Sequence, residues 1–199
     1  MNLDLINFDL IVALLVSITM FIAQIIYING VVKRQITPSI FSWFGWSMLM
    51  GVTLIAQIIV IGWDWSQSGI LVSTIGCMSI GMVALLFANY SYEKSDVTYL
   101  LLGLGCFGVY LISSDPWITT LLAVISDFII GIPTIVKAVK TATSERSPAW
   151  IISFFCWTLT LILSLKQDLL YTIFPLYLFL FSGLMIILTR FRNVKEQQG

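Results

Sequence analysis

The sequence predicts an all-α membrane protein of seven transmembrane helices, arranged as two parallel three-helix repeats joined by a linker helix in a 3+1+3 layout. Three observations predict this fold class. Hydrophobic residues make up 59% of the chain and charged residues only 10%. Apolar segments of membrane-spanning length recur from one end to the other. Polar helix faces in the first half return 110 to 111 residues later, which indicates a duplication.

Seven apolar segments are long enough to cross a bilayer, which takes about 20 apolar residues in a helix. They cover residues 8–30, 38–62, 69–90, 97–113, 118–140, 148–165 and 170–191. The mean hydropathy is +0.99, whereas a soluble domain would need a far more charged surface. The first segment follows Asp4 and Asp9 rather than basic residues, so we expect a retained helix and not a removable signal peptide.

The basic residues fall almost entirely on one side of this layout. Nine of the ten, among them Lys33, Arg34 and Arg146, share a side, and only Lys166 lies on the other. Cytoplasmic loops of membrane proteins carry an excess of lysine and arginine. We therefore expect the N-terminus outside and the C-terminus in the cytoplasm. The minimal loops and short tail favour a bacterial inner membrane over an organelle.

The duplication divides the chain into three parts. Residues 1–96 form a first triple-helix repeat, residues 97–114 the linker helix 4, and residues 115–199 a second repeat with a short cytoplasmic tail. Three helices reverse the direction of the chain. A fourth helix must therefore restore that direction before a second triplet can insert in the same orientation.

Both basic connections end in a hydroxyl residue followed by proline, Thr37-Pro38 before helix 2 and Ser147-Pro148 before helix 6. The hydroxyl can cap free amides, and proline has no amide to satisfy at the first helical position. Each pair therefore predicts a helix start, and their recurrence supports the duplication.

Four polar side chains occupy matching positions of helices 1 and 5. Ser17 and Gln24 in the first half correspond to Asp127 and Thr134 in the second. The members of each pair are seven residues apart, so they return to nearly the same helix face. Polar groups within membrane helices face the bundle interior and mark solute pathways. We expect these four residues to bind a solute.

A second matched face pairs helices 2 and 6, where Trp46 and Thr53 recur as Trp157 and Ser164. Each tryptophan shares a helical stripe with its hydroxyl residue. Sugars suit such a surface because their C–H faces pack on indole rings while their hydroxyls need hydrogen bonds. Amino acids or vitamins could use it as well. Helix packing by ordinary membrane tryptophans is the alternative interpretation.

Asp127 is the strongest candidate for a functional residue, because an ionised carboxylate in the middle of a membrane helix costs about 2.5 to 3.5 kcal/mol on insertion scales. Either burial keeps it protonated much of the time, or it is charged and meets a cation, water or hydrogen-bond donors. Both states suit proton coupling. The alternative is a structural aspartate bonded to a neighbouring helix.

Pro133 lies beside Thr134 in helix 5. Proline inside a helix removes one backbone hydrogen bond and exposes a carbonyl. We expect a hinge at Pro133, with a static kink as the alternative.

The residues that are absent exclude several classes of protein. The chain has no histidine, which excludes histidine-ligated haem, histidine metal sites and histidine proton relays. Cys77, Cys106 and Cys156 each stand alone in a predicted span, without metal-ligand spacing. We expect no cofactor, no bound metal and no nucleic-acid partner. A single carboxylate, without metal ligands or a nucleophile pair, is too few groups for a typical active site, so we do not expect an enzyme.

Two stretches, residues 23–46 and 133–157, resemble the PQ-loop superfamily, which includes the SWEET (MtN3) sugar transporters. Each is similar to the family's helix-end motif, basic connection and following helix, and the second continues into a polar segment over residues 143–147. Of the proline and glutamine of the family's motif, the first stretch has only the glutamine, Gln24, which follows Ala23. The second stretch has only the proline, Pro133, which precedes Thr134. The resemblance implies that both stretches lie near a central cavity or its hinges.

The sequence therefore predicts a membrane transporter of a small polar solute, such as a sugar, amino acid or vitamin-like molecule. It would work by alternating access between the repeats, with proton coupling through Asp127. The alternative is a non-transporting membrane receptor or assembly factor on the same fold, as the KDEL receptors of the superfamily imply. The expected partners are the solute and the lipid bilayer, and a homo-oligomer is left open.

Overall fold

The computed structural model describes residues 3–63, 68–88, 94–112, 115–165 and 169–190. Within these ranges the chain forms seven α-helices, one short 3₁₀ helix and no strand. The α-helices are α1 (Leu3–Val32), α2 (Ile40–Ile61), α3 (Ser68–Phe87), α4 (Lys94–Ile112), α5 (Pro116–Lys140), α6 (Ala149–Ser164) and α7 (Leu169–Arg190). The 3₁₀ helix, Ala142–Glu145, lies in the connection between α5 and α6.

Each predicted apolar segment coincides with one helix, so the all-α prediction is confirmed. Helices suit these segments because all of their interior backbone hydrogen bonds are made within the segment, away from water. Some parts of the prediction lie outside the described residues: Lys166, the ends of the third and fourth segments and of the linker helix at 89, 90, 113 and 114, and the tail at 191–199.

The two hydroxyl-proline pairs behave differently. At α6 the serine caps the helix as predicted, because the Ser147 hydroxyl accepts a hydrogen bond from the Ala149 amide at 3.1 Å. At α2 the predicted start is wrong, since the N-cap is Ser39 and its side chain makes no capping bond. The Thr37 amide instead donates to the Ser144 carbonyl at 2.8 Å. The Thr37 amide thus joins the two connections.

Four helices, α1, α3, α5 and α7, are long and apolar enough to cross a membrane. The apolar runs of α2 and α6 are shorter, Ile40–Ile55 and Ala149–Ile162. Large apolar side chains point outward, and Ile18, Ile59 and Phe155 are 59%, 77% and 60% exposed. Apolar surface on this scale is unusual for a soluble monomer. The structure is therefore compatible with a membrane protein.

The helices pack in a reciprocal pattern. α1 contacts α3 and α6, while α5 contacts α7 and α2. α2 also packs on α3, and α6 on α7. α4 packs against α5 and α2, and Gly103 allows the close approach to α5, because a Cβ there would lie 3.1 Å from the Ser126 carbonyl oxygen.

Candidate functional site

A cavity lies among the helices, lined by residues from every described α-helix except α4. The cavity has a volume of about 80 Å³, and a polar cavity needs only about 10 to 15 Å³ to hold one water molecule, so there is room for several water-sized groups. The polar side chains on its wall are Gln24, Ser73, Asp127, Ser153 and Ser182. The aromatic ones are Tyr27, Trp43, Trp46, Trp150, Trp157 and Phe181.

Most of the aromatic side chains form a connected wall. The rings of Trp43 and Trp46 meet edge to face with centroids 5.2 Å apart, and Trp46 meets Phe181 in the same way at 5.5 Å. Trp43 lies 6.1 Å from Trp150, and Tyr27 lies 4.8 Å from Trp43. Contacts of this geometry fix the rings against one another. The wall is therefore a preformed aromatic surface.

Asp127 of α5 lies in the cavity wall and is only 1% exposed. Its Oδ2 accepts a hydrogen bond of 2.6 Å from the Tyr177 hydroxyl on α7. Its main-chain carbonyl accepts one of 3.1 Å from the Trp46 indole on α2. Oδ1 has no hydrogen-bond partner among the described residues. A buried carboxyl group thus reaches the cavity with half of its acceptor capacity unused.

Of the predicted site residues, the structure brings Gln24, Trp46, Asp127 and Trp157 together on the cavity wall. The Gln24 amide donates to the Val72 carbonyl of α3 at 3.2 Å. Gly76 leaves the room for it, because a Cβ at that position would overlap the Gln24 side chain.

The other four predicted residues are not among those that line the cavity. Ser17 shares a hydrogen bond of 2.8 Å with Ser68, and Thr53 donates to the main chain of its own helix at 2.8 Å. Ser164 does the same at 2.8 Å. The Thr134 hydroxyl is buried without a hydrogen-bond partner in the described part of the chain.

Pro133 is buried within α5, which continues on both sides of it. A second proline, Pro175, stands inside α7 in the same way. Because both helices line the cavity, each proline weakens the backbone ladder of a wall element. The hinge at Pro133 stays a prediction.

A second group of polar contacts lies where the α1–α2 and α5–α6 connections meet, and we call it the connection cluster: Tyr27, Lys137, Glu145, Trp150 and residues 37–39. The Tyr27 hydroxyl donates to the Glu145 carboxylate. Lys137 Nζ donates to the carbonyls of Thr37 at 3.3 Å and Pro38 at 3.2 Å. The Trp150 indole donates to the Glu145 carbonyl at 3.0 Å. Since Tyr27 and Trp150 also line the cavity, the cluster adjoins its wall.

Glu145 is fully buried in this cluster. Burial raises the pKa of its carboxyl group to about 8, and this effect is opposed by the Tyr27 hydroxyl, the Lys137 charge and the Ser39 amide. The proton on Glu145 is therefore held more tightly in the folded protein than in the unfolded chain.

Several residues of the two sites were not predicted from the sequence, among them Tyr27, Trp43, Glu145, Trp150 and Tyr177. Trp43 stands three residues before Trp46, so it lies on a neighbouring part of the same helix face and could have been found by its spacing. Tyr27 reaches Glu145 across 118 residues of sequence, and no local pattern indicates such a contact.

Within the described ranges, no group of three or more histidine, cysteine, aspartate or glutamate residues is placed to hold a metal ion.

Comparison with protein-family models, curated proteins and solved structures gave no match to this chain. The chemistry of the site must therefore be argued from its own residues.

Proposed function

We propose that the protein is a membrane transporter of a small polar solute that works by alternating access between two parallel three-helix repeats. The observation that carries this proposal is the cavity itself. It combines a buried carboxyl group with a preformed aromatic wall, and both halves of the chain contribute to it, with Gln24 and Trp46 from the first and Asp127 and Trp157 from the second.

Contacts at matching positions support the repeat layout. Ser42 on α2 donates to the Ile130 carbonyl on α5 at 2.6 Å, and Ser153 on α6 contacts the Met20 sulfur on α1 at 3.9 Å. The serines are 111 residues apart and their partners 110. The reciprocal packing of α1 with α6 and α5 with α2 has the same symmetry.

The connection cluster supports a gate at one end of the pathway. Tyr27 and Lys137 are 110 residues apart, and each reaches the connection of the opposite half. A transporter that alternates its access must close each end in turn. Under this proposal the cluster is the closed cytoplasmic gate, because the basic connections face the cytoplasm by the positive-inside rule.

The remaining features follow the same proposal. Asp127 couples protons or meets a charged solute, and Pro133 serves as a hinge of α5. The chain is a divergent member of the PQ-loop superfamily in a bacterial inner membrane, with its N-terminus outside. The protein is not an enzyme.

Cys77 provides a native reporter for this proposal, because it is a free thiol on the cavity wall. We would replace Cys106 and Cys156 by alanine and label Cys77 with a membrane-impermeant thiol reagent. Intact cells and inside-out vesicles of a bacterial host present the two faces separately. Alternating access predicts labelling from both sides, and Tyr27→Phe should increase labelling from the cytoplasmic side several-fold by weakening the gate.

The matched control keeps Cys106 alone, since that cysteine is on α4, away from the cavity lining. Its labelling should not respond to Tyr27→Phe. Labelling of Cys77 from one side only, unchanged by Tyr27→Phe, would contradict transport and favour the non-transporting receptor.

A further inference from the structure

We infer that the solute is a monovalent organic cation whose ammonium group binds between Asp127 and the tryptophan wall. This inference rests on the proposed function, since it names the class of solute for the same cavity. Two independent features carry it: the unused acceptor of a buried carboxyl group, and the aromatic rings around it.

The carboxyl group supplies the charge. Asp127 is 1% exposed, and Tyr177 occupies one of its oxygens, whereas Oδ1 lacks a partner among the described residues. None of the described residues that line the cavity is lysine or arginine. A carboxylate buried without a counter-charge is costly. A bound cation would supply that counter-charge from the pathway.

The aromatic wall supplies the second part of the site. Four tryptophans, Trp43, Trp46, Trp150 and Trp157, line the cavity. An organic cation within about 6 Å of an indole face is attracted by the negative face of the ring, and tryptophan is the strongest partner for it. Quaternary ammonium ligands are recognised by aromatic cages of this kind.

The same wall is poorly suited to a neutral sugar, which needs a hydrogen-bond partner for each of several hydroxyls. Gln24 already donates to Val72, which leaves Ser73, Ser153 and Ser182 as the other neutral polar side chains on a largely apolar wall. A single carboxyl group matches one positive charge, so a polyamine would leave charges unpaired. An inorganic ion would need a cluster of oxygen ligands.

Matched pairs of probes test the charge alone. Choline and 3,3-dimethylbutan-1-ol share a shape, as do protonated phenethylamine and 2-phenylethanol. We would titrate each into the detergent-purified full chain and follow tryptophan fluorescence and thermal unfolding. At least one cation should bind tenfold or more tightly than its neutral partner. Asp127→Asn should remove this preference, while Glu145→Gln, a matched change in the other buried carboxyl group, should keep it.

Trp157→Leu serves as a second variant should Asp127→Asn fail to fold. It should weaken the binding of the cation several-fold and change the binding of the neutral partner little. Neutral partners that bind as tightly as the cations would overturn the inference and leave the proposed transporter in place. Absence of binding by every probe, with Cys77 still labelled from both sides, would also overturn the inference alone. Absence of binding with labelling from one side would overturn both.

Discussion

Two buried carboxyl groups, Asp127 and Glu145, each have one oxygen without a hydrogen-bond partner among the described residues, yet they differ in what lies around them. Each accepts a hydrogen bond from a tyrosine hydroxyl on another part of the chain, Tyr177 and Tyr27 respectively. Asp127 faces a cavity, whereas Glu145 is enclosed by two connections and lies near the Lys137 charge. The comparison teaches that burial alone does not identify a binding site. Free space beside the carboxyl group and the absence of a basic neighbour on the wall are what distinguish Asp127.

Replacing Glu145 or Asp127 by alanine should give the largest difference in unfolding free energy between the two carboxyl groups. Glu145→Ala leaves the buried Tyr27 hydroxyl unpaired and opens a void in a closed region, so we expect a loss of about 3 kcal/mol in unfolding free energy. Asp127→Ala should cost only about 1 kcal/mol, because the space that the side chain vacates joins the cavity and can admit water to the Tyr177 hydroxyl. Unfolding of both variants in the same detergent measures the difference. Equal losses would remove the distinction between the two carboxyl groups.

The pH dependence of stability should report on Glu145. Because burial raises its folded pKa to about 8, its contribution is full below the unfolded carboxyl pKa and is lost as pH rises through about 8. The slope is at most about 1.4 kcal/mol per pH unit, and we expect the unfolding free energy to fall between about pH 5 and pH 8. Glu145→Gln should flatten this decline. A decline of equal size in that variant would assign it to other groups.

The two tyrosines give the smallest and most closely matched test. Tyr27→Phe and Tyr177→Phe each remove one hydroxyl from a carboxyl group. We expect a loss of about 1.5 kcal/mol for Tyr27 and about 0.5 kcal/mol for Tyr177, since Asp127 lines the cavity and Glu145 does not. Thermal unfolding of the pair checks the order of the two losses, and a reversed order would contradict the closed state of the connection cluster.

The sequence predicted the helices well because an apolar run of membrane-spanning length has few other stable structures. It missed the start of α2, where the Thr37 amide bonds to Ser144 of the other connection. The N-cap Ser39 stands two residues after Thr37, a shift of the size by which helix ends commonly vary, so local capping preference does not fix such a boundary to the residue.

The candidate site was predictable where it follows helical spacing. Gln24, Trp46, Asp127 and Trp157 all lie on the cavity wall, as polar or aromatic residues on a repeated face should. Ser17 showed the limit of that reasoning, since its hydroxyl pairs with Ser68 and does not line the cavity. Spacing places a residue on a helix face, and the neighbouring helix then decides whether the residue bonds to it or meets open space.

The contacts between the two connections bear on the rate at which the proposed gate would open. Three links join one half to the other there: Tyr27 to Glu145, Lys137 to residues 37 and 38, and Thr37 to Ser144. The Tyr27 and Thr37 links end at adjacent residues of the α5–α6 connection, and Lys137 holds the facing residues 37 and 38, so under the proposed gate all three links would break together on opening. Opening would then be cooperative, with one activation barrier. If the gate works in this way, Lys137→Met, at a position that does not line the cavity, should speed turnover while leaving solute affinity unchanged.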